Sequence, residues 1–240
     1  IDIMLAVDVS TSMLAEDLKP NRLEAAKDVA AEFINGRPND NIGITLFAGE
    51  SFTQCPLTVD HAVLLDMIHN IKCGLIEDGT AVGMGIANAV TRLKDSKAKS
   101  KVIILLTDGT NNKGDISPMT AAEIAKSFGI RVYTIGVGTN GMAPYPYPVG
   151  NTVQYVSMPV EIDEKTLTQI AGTTDGNYFR ATSNSKLKEV YEEIDKLEKT
   201  KLNVKEYSKR DEEYHWFALA AFLCVLLEVL LRNSILKKIP

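Results

Sequence analysis

The stretch IDIMLAVDVSTS, residues 1–12, decides the fold, because an apolar run rich in branched side chains passes directly into small polar residues. The apolar part is typical of a strand that is buried on both faces of a sheet. Asp8, Ser10 and Ser12 follow at alternate positions, where such a strand would leave the sheet. The stretch therefore predicts a core strand that ends in a loop rich in oxygen atoms.

Strand-like runs alternate with helical patterns along most of the chain. RLEAAKDVAAEFI (22–34) and SKLKEVYEEIDKLEK (185–199) have the apolar spacing of helices, whereas KVIILLTDG (101–109) has the strongest strand pattern. NIGITLFAG (41–49) and SFTQCPLT (51–58) are two strand-like runs with no helix between them. We therefore expect a doubly wound α/β fold with a mainly parallel sheet and one antiparallel edge strand.

Local signals mark helix starts and one insert. Asp60 and Asp163 are expected to cap the helices that follow them, and Thr80 is expected to begin the helix of TAVGMGIANAVTRLK. The proline-rich segment between positions 138 and 163 is predicted to be an irregular insert at the same sheet edge as the site residues. Its Tyr145 and Tyr147 offer contact area at low entropy cost, so they are candidate partner-binding residues; a packed surface loop is the alternative.

Oxygen-bearing side chains are predicted to gather beyond the carboxyl ends of the parallel strands. The first loop supplies Asp8, Ser10 and Ser12, EDGTAVG supplies Thr80, and LLTDGT supplies Asp108. Each fragment alone is typical of a capped turn, but the three together, in this order, indicate a metal site. Carboxylates and hydroxyls without thiol or imidazole suit Mg²⁺ or Mn²⁺ in preference to Ca²⁺. A divalent cation with two carboxylates should still attract an oxygen ligand from outside.

At these residues the sequence resembles the von Willebrand factor A (VWA) family and its metal-ion-dependent adhesion site. The family pattern has DxSxS in the first loop, Thr in the second and Asp in the third, and all five residues match it. The resemblance implies that Ser10, Ser12 and Thr80 bind the metal directly and that Asp8 and Asp108 act through water. It also implies a protein ligand that completes the metal shell with an Asp or Glu carboxylate.

Four further stretches, FTQCPLTVD, IEDGTAVG, APYPYP and EVYEEIDKLEK, are similar to the aerotolerance-type (Bat) membrane VWA proteins of bacteria. This resemblance implies an adhesion or assembly module, not an enzyme, in an envelope complex linked to stress or aerotolerance. Other membrane VWA proteins and an AAA+ ATPase of the MoxR type are the partners that it implies.

The sequence is also compatible with two other functions. A metal-dependent phosphoryl-transfer enzyme would also place an Asp after the first strand, but it needs a second carboxylate nearby, where Ser10 stands, and a cation for the phosphate. A metal-free structural scaffold is the second alternative. The net charge of −5 argues against a nucleic-acid-binding surface. Cys55 and Cys73 are either two small buried apolar residues or, in an oxidising compartment, a disulfide.

The C-terminal sequence predicts a membrane anchor. We expect a VWA domain over 1–200, a polar stalk over 201–213, a transmembrane helix over 214–236 and a basic cytoplasmic tail over 237–240. The apolar run from Trp216 to Leu231 would rise about 24 Å as a helix, so flanking residues are needed to cross a hydrocarbon core of about 30 Å.

The residues in and after this segment predict its orientation and contacts. Arg232, Lys237 and Lys238 place the tail in the cytoplasm and the VWA domain on the periplasmic or extracytoplasmic side of a bacterial inner membrane. Glu228 is costly inside a membrane, so we expect it to pair with a polar group on another helix or to extend toward the interface.

Overall fold

The computed structural model describes residues 1–139, 141–149, 152–160 and 162–207, together with 218–223, 225, 228, 229 and 231. The chain divides into two compact units, Ile1–Lys199 and Thr200–Pro240. Much of the predicted transmembrane helix and the whole basic tail lie outside the described residues. Among those that are described, no helix is long and apolar enough to cross a membrane. Glu228 is described as an exposed helical residue.

A six-stranded sheet forms the centre of the first unit. Its strands are β1 (Asp2–Asp8), β2 (Asn41–Phe47), β3 (Ser51–Thr58), β4 (Lys101–Thr107), β5 (Ile130–Val137) and β8 (Tyr178–Ala181). They lie in the order β3-β2-β1-β4-β5-β8, and all neighbouring pairs are parallel except β2 and β3, which are antiparallel. The predicted mainly parallel sheet with an antiparallel edge strand is therefore confirmed.

Helices cover both faces of this sheet, which explains why β1 is apolar along its whole length. Ile3, Leu5 and Val7 point into one core layer, and Met4 and Ala6 point into the other. The helices are α1 (Arg22–Asn35), α2 (His61–His69), α3 (Val82–Leu93), α4 (Pro118–Ser127), α5 (Glu164–Thr173) and α6 (Asn184–Tyr207). Side chains of α1, α2 and α6 fill the first layer, and those of α3, α4 and α5 fill the second.

The expected caps of two helices are confirmed, and one expected helix start is wrong. The Asp60 carboxylate accepts a hydrogen bond from the Val63 N–H, and the Asp163 carboxylate accepts one from the Thr166 N–H. In contrast, α3 begins at Val82, two residues later than the sequence predicts, and its N-cap position makes no side-chain hydrogen bond. The Thr80 hydroxyl is therefore not used to start the helix.

The predicted irregular insert is instead a two-stranded antiparallel ribbon of β6 (Gly141–Val149) and β7 (Thr152–Val160). Prolines stand at every second position of β6, at 144, 146 and 148. Alternate residues of a strand turn their backbone groups away from the partner strand, so prolines at this spacing cost no hydrogen bond of the ladder. The Pro144 carbonyl accepts a hydrogen bond from the Glu16 N–H at 2.9 Å, which fastens the ribbon to the segment after β1.

A buried ion pair fastens α6 to the amino ends of β4 and β5. Glu198 is fully buried, and its carboxylate accepts hydrogen bonds from Arg131 at 2.6 and 2.8 Å, from Tyr133 at 2.6 Å and from Ser100 at 2.8 Å. Such a bonded carboxylate tolerates burial because every oxygen has a donor.

Candidate metal centre

The first loop of the site is organised by a buried carboxylate. Asp8 is the last residue of β1 and is fully buried. One of its oxygens accepts the Ser10 N–H at 2.9 Å, and the other accepts the Thr107 hydroxyl of β4 at 2.6 Å. Asp8 therefore connects the loop after β1 to the end of the neighbouring strand.

A chain of short contacts then joins the first loop to the third. The hydroxyl oxygens of Ser10 and Ser12 lie 2.9 Å apart, and the Ser12 hydroxyl donates to the Asp108 carboxylate at 2.7 Å. Ser12 lies in a short 3-10 helix, Thr11–Leu14, which turns its side chain toward the end of β4. Four of the five residues predicted from the sequence are thus directly linked.

Thr80 joins the same site through its surroundings. Its N–H donates to the Asn112 side-chain oxygen at 2.9 Å, and its carbonyl accepts the Asn112 N–H at 3.0 Å, so the second and third loops are tied together. A Cβ atom placed on Gly109 would lie 3.3 Å from the Thr80 hydroxyl oxygen, so this hydroxyl lies next to the residue that follows Asp108, and both Thr80 and Asp108 line the same cavity. Among the described residues, the Thr80 hydroxyl has no hydrogen-bond partner, so it is available as a ligand.

These loops surround a cavity of about 200 Å³ at the carboxyl edge of the sheet. Within the described part of the chain, no cluster of three or more His, Cys, Asp or Glu residues is arranged to hold a metal. A metal here would therefore depend on hydroxyl oxygens as well as on the two aspartates. The cavity is lined by Ser12, Arg22, Thr80, Asp108, Gly109, Thr110, Asn112, Pro159 and Val160.

Arg22 is the site residue that the sequence analysis missed. Its side chain is 1% exposed, and its guanidinium donates to the Asp108 carboxylate at 2.6 Å and to the Asp17 carboxylate at 2.6 and 2.7 Å. The bonds from Arg22 and Thr139 outweigh the effect of burial on Asp17 and hold its pKa at about 2. The local signal for Arg22 is its place at the start of α1, where the helix dipole disfavours a cation.

Burial dominates the electrostatics of the two site aspartates. Desolvation, followed by the charge of Asp108, raises the pKa of Asp8 from 3.8 to about 7. Desolvation also raises the pKa of Asp108, although the positive charge of Arg22 opposes the change. The folded chain therefore holds two carboxyl groups whose ionised forms are disfavoured, a condition that a bound cation relieves.

The residues present fit a hard divalent cation. Both oxygens of Asp8 and both oxygens of Asp108 accept hydrogen bonds from the protein. The hydroxyls of Ser10, Ser12 and Thr80 are the uncharged oxygens beside them, so this arrangement suits direct hydroxyl ligands with carboxylates acting through water. Cys73 takes no part as a ligand: it is a free thiol that donates to the Ser10 carbonyl at 3.4 Å, and burial with nearby carboxylates raises its pKa to about 12. Cys55 is also free.

The two candidate partner-binding tyrosines lie on β6, next to the metal cavity. Tyr145 and Tyr147 share a face of the ribbon and line a second cavity with Thr11 and Ser12 of the first loop. Their predicted position at the site edge thus agrees with the structure, while their role in binding remains a prediction.

This fold, with Asp8, Ser10, Ser12, Thr80 and Asp108 in the loops at one sheet edge, is that of a von Willebrand factor A domain. The model of the von Willebrand factor type A domain matches residues 2–193, and the chain belongs to this family. A protein of Borreliella burgdorferi described only as uncharacterized is 28% identical over 240 residues, which are 99% of this chain and 70% of that protein. A UPF0353 protein of Mycolicibacterium paratuberculosis is 31% identical over 203 residues, 79% of this chain; the aligned part spans 58% of that relative's length.

Among solved structures, Bat-type bacterial proteins are similar to this chain in both sequence and fold. BatB of Bacteroides thetaiotaomicron is 33% identical with a TM-score of 0.73, covering 83% of this chain and 99% of that one. An aerotolerance-related membrane protein of Bacteroides fragilis is also 33% identical, with a TM-score of 0.70 and coverage of 82% and 99%. Proximal thread matrix protein 1 of the mussel byssus, with zinc in its MIDAS motif, is 25% identical with a TM-score of 0.63, covering 82% of this chain and 45% of that one.

Proposed function

We propose that this protein is a membrane-anchored module that binds a protein partner through a divalent cation. Mg²⁺ or Mn²⁺ would be held by Asp8, Ser10, Ser12, Thr80 and Asp108. The partner would supply an Asp or Glu carboxylate to the cation, whose remaining coordination position faces the cavity. The observation that carries the proposal is that three loops bring these residues together: Ser12, Thr80 and Asp108 line one cavity, and Asp8 and Ser10 are linked to Ser12 by hydrogen bonds.

The ligand set of the site supports an external acidic ligand. Asp8, Asp17 and Asp108 carry three negative charges and Arg22 carries one positive charge, so one divalent cation balances the site. The attraction for an outside carboxylate would therefore come from the open coordination position of the cation, since the protein ligands are mainly uncharged hydroxyls. A zinc ion occupies the MIDAS motif of the mussel byssus relative, which shows that a related VWA domain can hold a divalent metal at such a motif.

The same geometry disfavours phosphoryl transfer. That chemistry needs a cation that can reach the phosphate. Arg22 is the positively charged residue lining the cavity, but it is buried and its donors are engaged by Asp17 and Asp108. No described feature favours an enzymatic role over a binding role.

The C-terminal sequence and the similar proteins support two further parts of the proposal, the membrane attachment and the cellular role. We propose that residues 214–236 form the anchor and that the VWA domain faces the extracytoplasmic side of a bacterial inner membrane. The Bacteroides fragilis relative is described as an aerotolerance-related membrane protein, which supports a role in a stress-related envelope complex. Other membrane VWA proteins and a MoxR-type ATPase are the partners that we propose for that complex.

Metal-dependent melting and partner capture test the proposal. Mg²⁺ at about a hundred times its dissociation constant should stabilise the full chain in detergent by about 2.7 kcal/mol, which corresponds to a melting rise on the order of 5–10 °C. Asp8→Ala should abolish this rise. In membranes without chelator, where the parent chain is expected to be cross-linked to its partner, Asp8→Ala should also abolish recovery of the cross-linked partner. Asp2→Ala is the matched control, because Asp2 is a buried aspartate at the other end of β1.

The control should respond to Mg²⁺ as the parent does, even if its own melting temperature is lower. If EDTA and Asp8→Ala leave both melting and partner capture unchanged, the adhesion function is wrong. If Mg²⁺ raises the melting temperature but capture does not depend on it, the metal is structural and the partner binds elsewhere.

A further inference from the structure

A second cavity adjoins the candidate metal centre. Its volume is about 240 Å³, and it lies between the ribbon and the segment after β1. Ser12, Pro159 and Val160 line both this cavity and the metal cavity, so the two are adjacent. A ligand that reaches the cation can therefore also reach the second cavity, which we call the ribbon pocket.

The ribbon pocket is walled mainly by apolar side chains from one face of the ribbon. Ala143 and Met158 are cross-strand partners on this face, and Tyr147 lies on it two pairs further along. Ala143 is buried, whereas Met158 and Tyr147 are 44% and 56% exposed, so the pocket has a fixed base and open walls. The opposite face carries Met142, which is 59% exposed and lines neither cavity.

The pocket also has a defined position relative to the cation ligands. Its other side is formed by Thr11, Ser12 and Ala15, and Ser12 is itself a proposed metal ligand. The hydrogen bond between the Glu16 N–H and the Pro144 carbonyl holds the ribbon against this segment. The apolar space is thus maintained directly beside the place where a partner carboxylate would bind.

We propose that the ribbon pocket receives a large apolar side chain of the partner, two positions from the carboxylate that binds the cation. This inference rests on the proposed function. The occupant is an extended peptide segment, since side chains two residues apart in such a segment point to the same side and lie about 7 Å apart. The charge of the cation selects an acidic residue, and the adjacent apolar pocket selects its apolar neighbour. The ribbon thereby decides which acidic segments are bound.

Synthetic peptides test this proposal on the full chain in detergent. The probe is a fluorescein-labelled, C-terminally amidated peptide, Gly-Leu-Gly-Asp-Gly-Leu-Gly, whose binding is measured by fluorescence polarisation in Mg²⁺ and in EDTA. Leucine stands on both sides of the aspartate because either chain direction can be accommodated. The reference peptide has glycine in place of both leucines, and a third peptide has asparagine in place of the aspartate.

The leucine peptide should bind about tenfold more tightly than the glycine peptide in Mg²⁺, because one leucine side chain leaves water. Met158→Ser should remove most of this difference while leaving binding of the glycine peptide unchanged. Met142→Ser is the matched control, since Met142 lies on the same ribbon but on its opposite face, and it should preserve the tenfold difference.

Two of the remaining outcomes contradict the ribbon pocket proposal alone, and the third contradicts both proposals. If both aspartate peptides bind equally in Mg²⁺ and neither binds in EDTA, the metal-dependent function stands and the ribbon pocket proposal is overturned. If the leucine peptide binds more tightly but does so equally in EDTA or with asparagine, the pocket acts without the cation and the proposed coupling is wrong. If no peptide shows metal-dependent binding, the peptide experiment contradicts both proposals.

Discussion

Replacement of Arg22 by Met should make the fold depend much more strongly on the cation. The single positive charge of the Arg22 guanidinium is shared between Asp17 and Asp108, whose side chains are 5% and 0% exposed. Arg22→Met keeps an apolar stem of similar length but leaves two buried carboxylates without their cation. Mg²⁺ beside Asp108 would supply part of the missing positive charge.

The size of the effect follows from the burial of the pair. Breaking a buried ion pair by removing one partner costs about 3–5 kcal/mol. For a domain of this size the melting temperature should fall by about 2–4 °C for each kcal/mol, or on the order of 6–20 °C in total. The rise produced by saturating Mg²⁺ should then be larger in Arg22→Met than in the parent, because the variant starts from a more unfavourable metal-free state.

Circular dichroism melting in EDTA and in Mg²⁺ measures both quantities. Arg37→Met is the matched control: Arg37 is equally buried and pairs with Asp40 at 2.6 Å and Asp195 at 2.7 Å, but it does not line the metal cavity. It should lose comparable stability and keep the parental response to Mg²⁺. If Mg²⁺ stabilises Arg22→Met no more than Arg37→Met, the reasoning that Arg22 and the cation share the charge of Asp108 is refuted.

Three further predictions concern pH, backbone geometry and topology. The pKa of Asp8 is about 7 in the folded chain and 3.8 as a free side chain, so the stability of the metal-free protein should fall as pH rises between these values. Because Mg²⁺ binds the ionised carboxylate, the increase in melting temperature with Mg²⁺ should be larger at pH 8 than at pH 5.5. An equal increase at both pH values would contradict the ionisation of Asp8 on metal binding. In a denaturant titration, Gly138→Ala should destabilise the fold by more than about 1 kcal/mol, because φ is +123° at this position and a Cβ would lie 2.4 Å from the Arg22 guanidinium. Gly172→Ala is the control: a Cβ there would have no atom within 4 Å, so this substitution should not lower the stability. In intact cells, an impermeant thiol reagent should label a cysteine in the stalk and not one placed after Lys238; the reverse pattern would mean that the predicted orientation is wrong.

The sheet and five of the site residues could be predicted because their signals are local. Consecutive residues are enough to predict a fully apolar strand such as β1 or a capped helix start such as Asp60 before α2. The order of strands and helices then places the loop residues at one edge of the sheet. The start of α3 was predicted too early, because Thr80 has the composition of an N-cap while its backbone is held by the third loop instead.

The parts that sequence reasoning missed depend on distant contacts. Arg22 resembles an ordinary first-turn residue of a helix, and its partner Asp108 lies 86 positions away. The ribbon was predicted to be irregular because prolines normally interrupt a sheet. In a two-stranded ribbon both strands are edges, and the spacing of Pro144 and Pro146 places each missing N–H away from the partner strand.

The anchoring of α6 has a mechanical consequence. Glu198 fastens the helix to Ser100 and Arg131 at the amino ends of β4 and β5, whereas Asp8 and Asp108 stand at the carboxyl end of the sheet. A pull between a bound partner and α6 would therefore run along the strands. The hydrogen bonds between β1, β4 and β5 would share that force in shear, rather than opening one after another as in a peeled hairpin. The position of one buried glutamate thus gives the domain an orientation in which a force on α6 would load the parallel strands in shear.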